Sequence, residues 1–232
     1  METVRPTCLG FIMDGNRRWA EQNGKQKMEG HATGFAVFQN VVRWVRDEQI
    51  PHAVFYAFST ENWQRTQREV EYLMQLFEQT LTELLQKTEA NVAGEGGGVR
   101  VRVIGRRSDF SPTLQRLMAE LEEKSARYTD TTIWLALSYG GRAEIVEAVN
   151  TAITAGTPVT EDAFSQLLWT AEMPDPDLIV RTSGEQRLSN FVTWRSVYSE
   201  LLFLEKHWPA LEKSDFDAIL EEYAKRERRR GR

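Results

Sequence analysis

The chain of 232 residues is 41% hydrophobic and 27% charged, which predicts an ordinary soluble domain with a substantial core. Its formal net charge of −5 argues against a general nucleic-acid binder, so any anionic ligand must be held by locally concentrated arginines. No stretch approaches the roughly 20 apolar residues of a membrane span and no signal peptide opens the chain, which predicts a cytoplasmic protein and leaves peripheral membrane contact open.

The first predicted strand, residues 7–12, leads into Asp14-Gly15-Asn16. Cys8 is the single cysteine and is expected to be buried in this strand as a small hydrophobe. Glycine lets the backbone approach a ligand, N–H groups at a helix start attract negative charge, and an aspartate can hold Mg²⁺. The same three residues are also common in plain turns, so this segment alone leaves both interpretations open.

Strand and helix patterns alternate along the rest of the chain. Apolar runs predict strands at 53–58, 99–104, 133–137 and 177–180. A helical pattern carries Phe38 and Val41, and Thr66-Gln67-Arg68-Glu69 has the spacing of a capping box with Glu69 reaching back to Thr66. Further helices are predicted after Ser111-Pro112, at 143–155, at 161–170 and after Ser214, and the glycine-rich segment 94–98 is a predicted loop.

This alternation predicts an α/β fold with one domain over residues 1–232, in which helices flank a mainly parallel central sheet. Polar clusters follow the predicted strand ends at Asp14, Ser59, Tyr139 and Arg181. Because open α/β sheets bind ligands at the carboxyl ends of their strands, we expect the functional site there.

Several common chemistries have no matching motif. The sequence contains no Walker phosphate loop, paired-cysteine metal site, His-Glu-x-x-His or Gly-x-Ser-x-Gly elbow. It has only three histidines, which excludes a histidine-rich metal centre, and no Asp-Asp pair of the kind expected in trans-type prenyl chain synthases.

Five segments are specific in combination: IMDGNRRWA at 12–20, GHATG at 30–34, YAFSTENWQR at 56–65, SYGGR at 138–142 and RTSGEQRLSNF at 181–191. Together they resemble the cis-prenyltransferase family, whose best-known members are the undecaprenyl diphosphate synthases, over nearly the whole chain. The resemblance implies condensation of isopentenyl diphosphate with an allylic diphosphate such as farnesyl diphosphate, giving a polyprenyl diphosphate with cis double bonds. It also implies Mg²⁺ and a homodimer.

The resemblance assigns roles to individual residues. Asp14 matches the aspartate that coordinates Mg²⁺ and assists departure of the allylic diphosphate, and Glu200 matches a second magnesium-associated carboxylate that could otherwise be a surface acid. Asn62 matches the position assigned to proton removal, but because a neutral amide is a poor base we expect it to position the reactants. The expected substrate-binding residues are Gly15, Asn16, Arg17, Arg18, Trp19, Lys27, His31, Ser59, Thr60, Glu61, Trp63, Arg65, Arg181, Arg187, Leu188 and Ser189.

Two diphosphates need cations from at least two sides, and charge-assisted hydrogen bonds contribute about 1.5–3 kcal/mol each. We expect the first group, on the side of Asp14, to hold the allylic diphosphate, and the second group, on the side of Arg181, to hold isopentenyl diphosphate. The first group comprises Arg18, Lys27, His31 and Arg65, and the second comprises Arg181, Arg187 and Ser189.

The product and the partner leave alternatives open. Phe55, Phe58, Leu73, Phe77 and Leu137 are candidates for the wall of an apolar tunnel at the strand ends, although core packing explains them equally well. The terminal Arg229-Arg230-Gly231 matches a family motif that reaches the neighbouring subunit's site. A non-catalytic subunit of a heteromeric prenyltransferase and an unrelated phosphate-ester hydrolase are the alternative functions.

Overall fold

One parallel sheet organises the computed structural model, which describes residues 4–90, 98–156 and 158–226. The strands found there are β1 Cys8–Ile12, β2 His52–Ser59, β3 Arg100–Ile104, β4 Thr132–Tyr139, β5 Leu178–Thr182 and β6 Glu200–Leu204. Their order in the sheet is β3-β4-β2-β1-β5-β6, and each neighbouring pair is parallel. The predicted single α/β domain with a mainly parallel sheet is therefore confirmed.

Parallel strands need crossover connections, and helices form four of the five here, whereas turns alone join β5 to β6. The helices are α1 Asn16–Gln22, α2 Lys27–Asp47, α3 Gln67–Ala90, α4 Pro112–Ser125, α5 Gly141–Ala155, α6 Glu161–Ser165 and α7 Lys213–Lys225. Short 3-10 helices lie at Thr60–Gln64, Arg107–Asp109 and Trp208–Ala210. Across the three described ranges, no helix combines the length and apolar character needed to cross a membrane.

Side chains cover both faces of the sheet, which is why β1, β4 and β5 read as continuous apolar runs. On one face, α2, α3, α4 and α7 bury the larger core, where Phe11 stacks on Phe55 at 5.0 Å between ring centroids. Phe38 of α2 meets the edge of Phe55 at 4.8 Å. The other face packs Val54 and its neighbours against Met173 and the segment after β5. Cys8 is fully buried in β1, as expected.

The chain changes direction across the sheet at β1. β2, β4 and β3 lie to one side of it, whereas β5 and β6 lie to the other. The loops that leave β1, β2 and β5 therefore meet at the carboxyl edge of the sheet, where such a reversal opens a crevice between neighbouring loops.

Several element predictions differ from the structure. The helix predicted at 161–170 ends at Ser165 and continues as turns, and the strand predicted at 177–180 extends through Arg181 and Thr182. The sequence does not predict β6, because its apolar run of four residues is short. Residues 94–97 of the predicted loop and the terminal Arg229-Arg230-Gly231 lie outside the described residues.

Candidate functional site

The turn between β1 and α1 is held in place by the end of β5. The hydroxyl of Thr182 accepts a hydrogen bond from the Asp14 backbone N–H at 3.0 Å and donates to the Asp14 carbonyl at 2.7 Å. Gly15 has a φ of +100°, and a Cβ there would lie 2.7 Å from both Ser183 Oγ and His207 Nδ1. Only glycine fits this turn without strain, so the close packing fixes the direction in which Asp14 faces.

Asp14 and Arg181 form an ion pair at the centre of this edge. Arg181 Nη2 donates to Asp14 Oδ2 at 2.8 Å, and Nη1 donates to Ser189 Oγ at 2.8 Å and to the Arg187 carbonyl. The Arg181 side chain is only 4% exposed, whereas that of Asp14 is 36% exposed. A buried guanidinium needs such a counter-charge, and the pair leaves the carboxylate accessible from one side.

Glu185 links two further arginines at the rim. Its carboxylate lies 3.1 Å from Arg18 Nη1 and 2.5 Å from Arg187 Nη1. Arg18 also lies 3.9 Å from Asp14. The two predicted cationic groups are therefore adjacent and share Asp14 and Glu185 as acidic partners.

The exit of β2 presents polar groups to the same space. Asn62 Oδ1 accepts from the Ser59 backbone N–H at 3.2 Å, which orients the Asn62 amide. Asn190 Nδ2 donates to Glu61 Oε1 at 2.9 Å. Burial opposes ionisation of Glu61, but its hydrogen bonds, including the one from Asn190, lower its pKa overall. Glu61 is therefore an anion that fixes loop geometry.

Asn190 joins three loops. Besides Glu61, it meets the start of α5, where its Oδ1 accepts from Arg142 N at 2.8 Å and its carbonyl accepts from Gly141 N at 2.8 Å. Gly140, at the N-cap of α5, has no side chain to satisfy these donors. Asn190 supplies the cap from another loop, and a Cβ on Gly140 would approach its amide to 2.7 Å.

A cleft of about 510 Å³ opens over these groups. The predicted site residues that line it are Asp14, Asn16, His31, Ser59, Glu61, Asn62, Arg65, Arg181 and Ser189. The remaining lining residues are Ile12, Met13, Tyr56, Ala57, Leu73 and Asn190. Polar side chains from four separate segments thus face one space.

An apolar cavity of about 100 Å³ adjoins this cleft. Both share Met13, Asn16, His31, Tyr56, Ala57 and Leu73 as lining residues. The cavity continues between α2, α3 and the sheet, where its other lining residues are Gly34, Phe35, Phe38, Leu76, Phe77, Thr80, Leu81, Leu135, Leu137 and Trp208. Of the predicted tunnel residues, Leu73, Phe77 and Leu137 line the cavity, whereas Phe55 and Phe58 are core residues outside its lining.

Some predicted residues lie beside the cleft rather than in its lining. Trp19 packs against the Lys25 ammonium, 5.0 Å from its ring centroid, and Lys27 lies exposed 3.7 Å from Glu21. Trp63 packs on the core and donates its indole N–H to Ser138 Oγ at 2.8 Å. Arg17 pairs with Glu69, Thr60 bonds Glu61, and Leu188 packs on the second core.

The structure does not bring Glu200 to Asp14. Glu200 begins β6 level with Leu178, which is level with Leu9 of β1, five residues before Asp14. At about 3.3 Å per residue, the three steps from Leu9 to Ile12 alone put roughly 10 Å along the strand direction between Glu200 and the end of β1, and β5 lies between the two strands. Glu200 instead accepts from Arg226 Nη1 at 3.0 Å. The two carboxylates cannot share one ion within a single chain.

The residues at the cleft fit a magnesium ion that is coordinated partly by the protein and partly by a bound ligand. Mg²⁺ keeps several waters and binds through one or two carboxylates plus substrate phosphates. Asp14 offers one partly exposed carboxylate to the cleft. Within the described ranges, His, Cys, Asp and Glu side chains form no group of three suited to an all-protein metal cage. The site therefore suits an ion shared with a bound diphosphate.

Sequence reasoning missed residues that act on other residues rather than on a ligand. Glu69 was read as a capping residue, and Thr66 Oγ1 does accept from its backbone N–H at 3.4 Å, but its carboxylate contacts Arg65 instead of reaching back. Glu185 and Asn190 lie in the segment 181–191, but nothing in that segment indicates their structural roles. Their polar character was visible in the sequence, whereas their partners come from distant segments.

Comparisons with known proteins agree along the whole chain. A family model described as "Putative undecaprenyl diphosphate synthase" matches residues 12–231. An isoprenyl transferase of Thermotoga maritima is 42% identical over 97% of this chain and 97% of its own length. A tritrans,polycis-undecaprenyl-diphosphate synthase (geranylgeranyl-diphosphate specific) of Thermococcus kodakarensis is 38% identical over 98% of this chain and 87% of its own length.

A solved structure also has this fold. Lavandulyl diphosphate synthase from Lavandula x intermedia, in complex with dimethylallyl diphosphate, matches with a TM-score of 0.90 and 30% identity. The match covers 98% of this chain and 99% of that one.

Proposed function

The chain belongs to the undecaprenyl diphosphate synthase family, whose members transfer prenyl groups, and from this premise we propose that it condenses isopentenyl diphosphate with an allylic diphosphate primer. Each step forms a cis double bond and lengthens a polyprenyl diphosphate. A magnesium ion, a homodimer and a cytoplasmic location with peripheral membrane contact for product release are parts of the same proposal.

The observation that carries the proposal is that a polar cleft adjoins an apolar cavity. The cleft presents Arg65 and Arg181, and the adjoining cavity is lined mainly by apolar side chains of α2, α3 and β4. A prenyl diphosphate has the same division, with an anionic head and a hydrocarbon tail. At about 0.8 kcal/mol per buried carbon, each five-carbon unit gains roughly 4 kcal/mol on leaving water. The shared lining residues would place the head beside Asp14 with the tail directed into the cavity.

In this proposal, the carbon–oxygen bond of the primer breaks, a carbon–carbon bond to isopentenyl diphosphate forms, and a proton passes from the isopentenyl unit to the departing diphosphate. Arg65, His31 and the backbone after Asp14 bind the departing diphosphate, and Arg181 and Ser189 bind isopentenyl diphosphate. The oriented Asn62 amide positions the reacting carbon. When bound at Asp14, Mg²⁺ neutralises charge that develops on the leaving group.

Purified protein should convert an allylic primer, labelled isopentenyl diphosphate and Mg²⁺ into butanol-extractable product. Farnesyl diphosphate is the expected primer. Geranylgeranyl and dimethylallyl diphosphates are tested beside it because the names of similar proteins contain them. Absence of product with all three primers would reject the proposal. Release of inorganic phosphate from simple esters would instead favour a hydrolase.

We expect Asp14→Ala to lower turnover by orders of magnitude, because it removes the carboxylate that we assign to the ion and leaves Arg181 buried without its counter-charge. Exposed Asp130 provides the matched control, and Asp130→Ala should retain near-normal rates. Steady-state rates of both variants at saturating substrate provide the measurement. Near-normal turnover in Asp14→Ala would remove the role given to this residue.

The alternative of a non-catalytic subunit finds less support. The turn at Asp14, the Arg181 pair and the polar exit of β2 are all present and converge on one cleft. A subunit without catalytic duty has no need of these groups together. Product formation by this chain without a second protein would reject that alternative.

A further inference from the structure

Glu69, in the first turn of α3, lies against basic side chains from three other segments. Arg65, in the turn before α3, donates from Nη1 to Glu69 Oε1 at 3.1 Å. His31 of α2 has its Nε2 3.5 Å from the same oxygen, and Arg17 of α1 has its Nη1 3.6 Å from Oε2. The Glu69 side chain is only 14% exposed. Burying a carboxylate costs free energy unless cations lie beside it, so these basic side chains are needed to keep Glu69 buried.

The carboxylate contacts Arg65, His31 and Arg17, all of which lie outside the helix that carries it. The start of α3 is served by Thr66, whose hydroxyl and carbonyl both accept from the Glu69 backbone N–H. The side chain is thus available for contacts elsewhere. Arg65 and His31 line the cleft, whereas Glu69 does not, so the carboxylate lies behind these two side chains.

Glu69 counteracts the effects that lower the pKa values of Arg65 and His31. Burial and the nearby Arg17 both lower the pKa of Arg65, and Glu69 acts in the opposite direction. Burial followed by the Arg65 charge lowers the pKa of His31, and Glu69 again opposes the shift. The carboxylate therefore holds two cations near each other and near a buried imidazole.

We propose that Glu69 is a positioning residue of the diphosphate cleft, acting through Arg65 and His31, whose side chains it holds in place in the cleft lining. The inference rests on the proposed function of the cleft. It makes a counter-intuitive prediction about binding. By Coulomb attraction alone, removing a negative charge strengthens the binding of an anion, whereas loss of positioning weakens it.

The test compares Glu69→Ala with Glu69→Gln in calorimetric titrations with inorganic pyrophosphate. Alanine removes the acceptor of Arg65, and glutamine retains a carbonyl oxygen that can accept from it. We expect Glu69→Ala to weaken pyrophosphate binding on the order of tenfold to a hundredfold, the value of one charge-assisted hydrogen bond. Glu69→Gln should bind within a few fold of the wild type.

Glu71 provides a matched control in the same turn of α3. Its carboxylate is exposed and bonds Gln67 at 2.8 Å, so Glu71→Ala makes the same change in charge and helix composition without touching the cleft. This variant should leave pyrophosphate affinity unchanged. Circular dichroism of all three variants establishes that they are folded.

Three results would overturn the inference. Glu69→Ala could bind pyrophosphate as tightly as the wild type or more tightly, Glu69→Gln could show no rescue, or Glu71→Ala could lose as much affinity as Glu69→Ala. Wild-type protein that binds no pyrophosphate would overturn both this inference and the proposed function. Wild-type protein that binds pyrophosphate but forms no prenyl product would overturn the proposed function alone.

Kinetics supply an independent readout. Glu69 contacts the side of the cleft that we assign to the allylic diphosphate, and Arg181 with Ser189 holds the other side. The KM for the allylic primer should therefore rise in Glu69→Ala, while the KM for isopentenyl diphosphate stays within about twofold. Equal increases in both values would contradict a positioning role confined to one side.

Discussion

At the scale of single residues, the site depends on how closely the Asp14 turn is packed. Gly15 combines a φ of +100° with contact to Ser183 and His207, which themselves lie 2.7 Å apart through Oγ and Nδ1. The loops that carry Gly15, Ser183 and His207 thus pack so closely that no room remains for a methyl group on Gly15. The catalytic candidate Asp14 is immobilised by this packing as much as by its own hydrogen bonds to Thr182.

We expect Gly15→Ala to lower the free energy of unfolding by about 2–4 kcal/mol, because a side chain there suffers both unfavourable backbone strain and steric overlap. Gly24 provides a matched control. It also has a positive φ, of +66°, but a Cβ there meets nothing within 4 Å, so Gly24→Ala should cost only about 1 kcal/mol. Urea denaturation measures both. Equal losses would show that packing around Gly15 contributes little.

At the scale of elements, the cleft is built by loops that brace one another. The exits of β2, β4 and β5 are joined through Asn190, which also completes the N-terminus of α5. The glycines of the segment 138–142 are needed because this loop approaches so closely, with Thr193 Oγ1 only 2.3 Å from a Cβ placed on Gly141. Two motifs that are some 40 residues apart therefore form one structure.

Replacing Asn190 with glycine should lower the free energy of unfolding by about 1–2 kcal/mol, since hydrogen bonds to Arg142 and Glu61 are lost. Glycine is chosen because Asn190 has a φ of +67°. Pyrophosphate binding should weaken severalfold, because Asn190 and Glu61 line the cleft. Urea denaturation and titration calorimetry measure these effects.

The N-cap of α4 offers the control for that experiment. Ser111 accepts from Leu114 N at 3.2 Å, away from the cleft. Ser111→Ala should also cost about 1 kcal/mol in stability but leave pyrophosphate affinity unchanged. If Asn190→Gly loses stability without any change in affinity, the bracing of the loops has no bearing on the ligand.

At the scale of the whole molecule, one sheet edge carries exposed apolar side chains. Val197 and Tyr198 are 71% and 69% exposed, and they precede the edge strand β6, where Leu201 is also exposed. Arg226, the last described residue, is held at this strand by Glu200 and by the Leu201 carbonyl. Exposed edge strands and apolar patches favour association, so these features support the proposed homodimer at this edge.

Sedimentation equilibrium should accordingly give twice the mass of one chain. We expect Tyr198→Arg to shift the population toward monomer, because a desolvated charge opposes association. Val4, which is 62% exposed near the start of β1, offers a control, and Val4→Arg should remain dimeric. A wild-type monomer at micromolar concentration would contradict the dimer, and an unchanged dimer in Tyr198→Arg would place the interface elsewhere.

Local sequence patterns are enough to predict the alternating α/β architecture and the carboxyl edge of the sheet as the place of the cleft. Both follow from local patterns, since apolar runs mark buried strands and polar residues after them mark strand ends. The family resemblance, together with the charge of the arginines, points to Asp14, Asn62, Arg65 and Arg181, all of which line the cleft. Each of them stands at or near the end of a recognisable strand, so its position followed from its place in the chain.

Which residues contact one another is visible only once the chain is folded. The carboxylate of Glu69, which the sequence predicts as a helix cap, contacts Arg65, Arg17 and His31 instead. Asn190 caps α5 from another loop, which its own segment does not indicate. The structure also places Glu200 at the amino ends of the strands, whereas Asp14 follows the carboxyl end of β1. Charge neutralisation, capping and ion sharing all act over a few ångströms. Residues that lie this close in space are often far apart in the sequence. Their partners are therefore fixed by the packing of the whole chain.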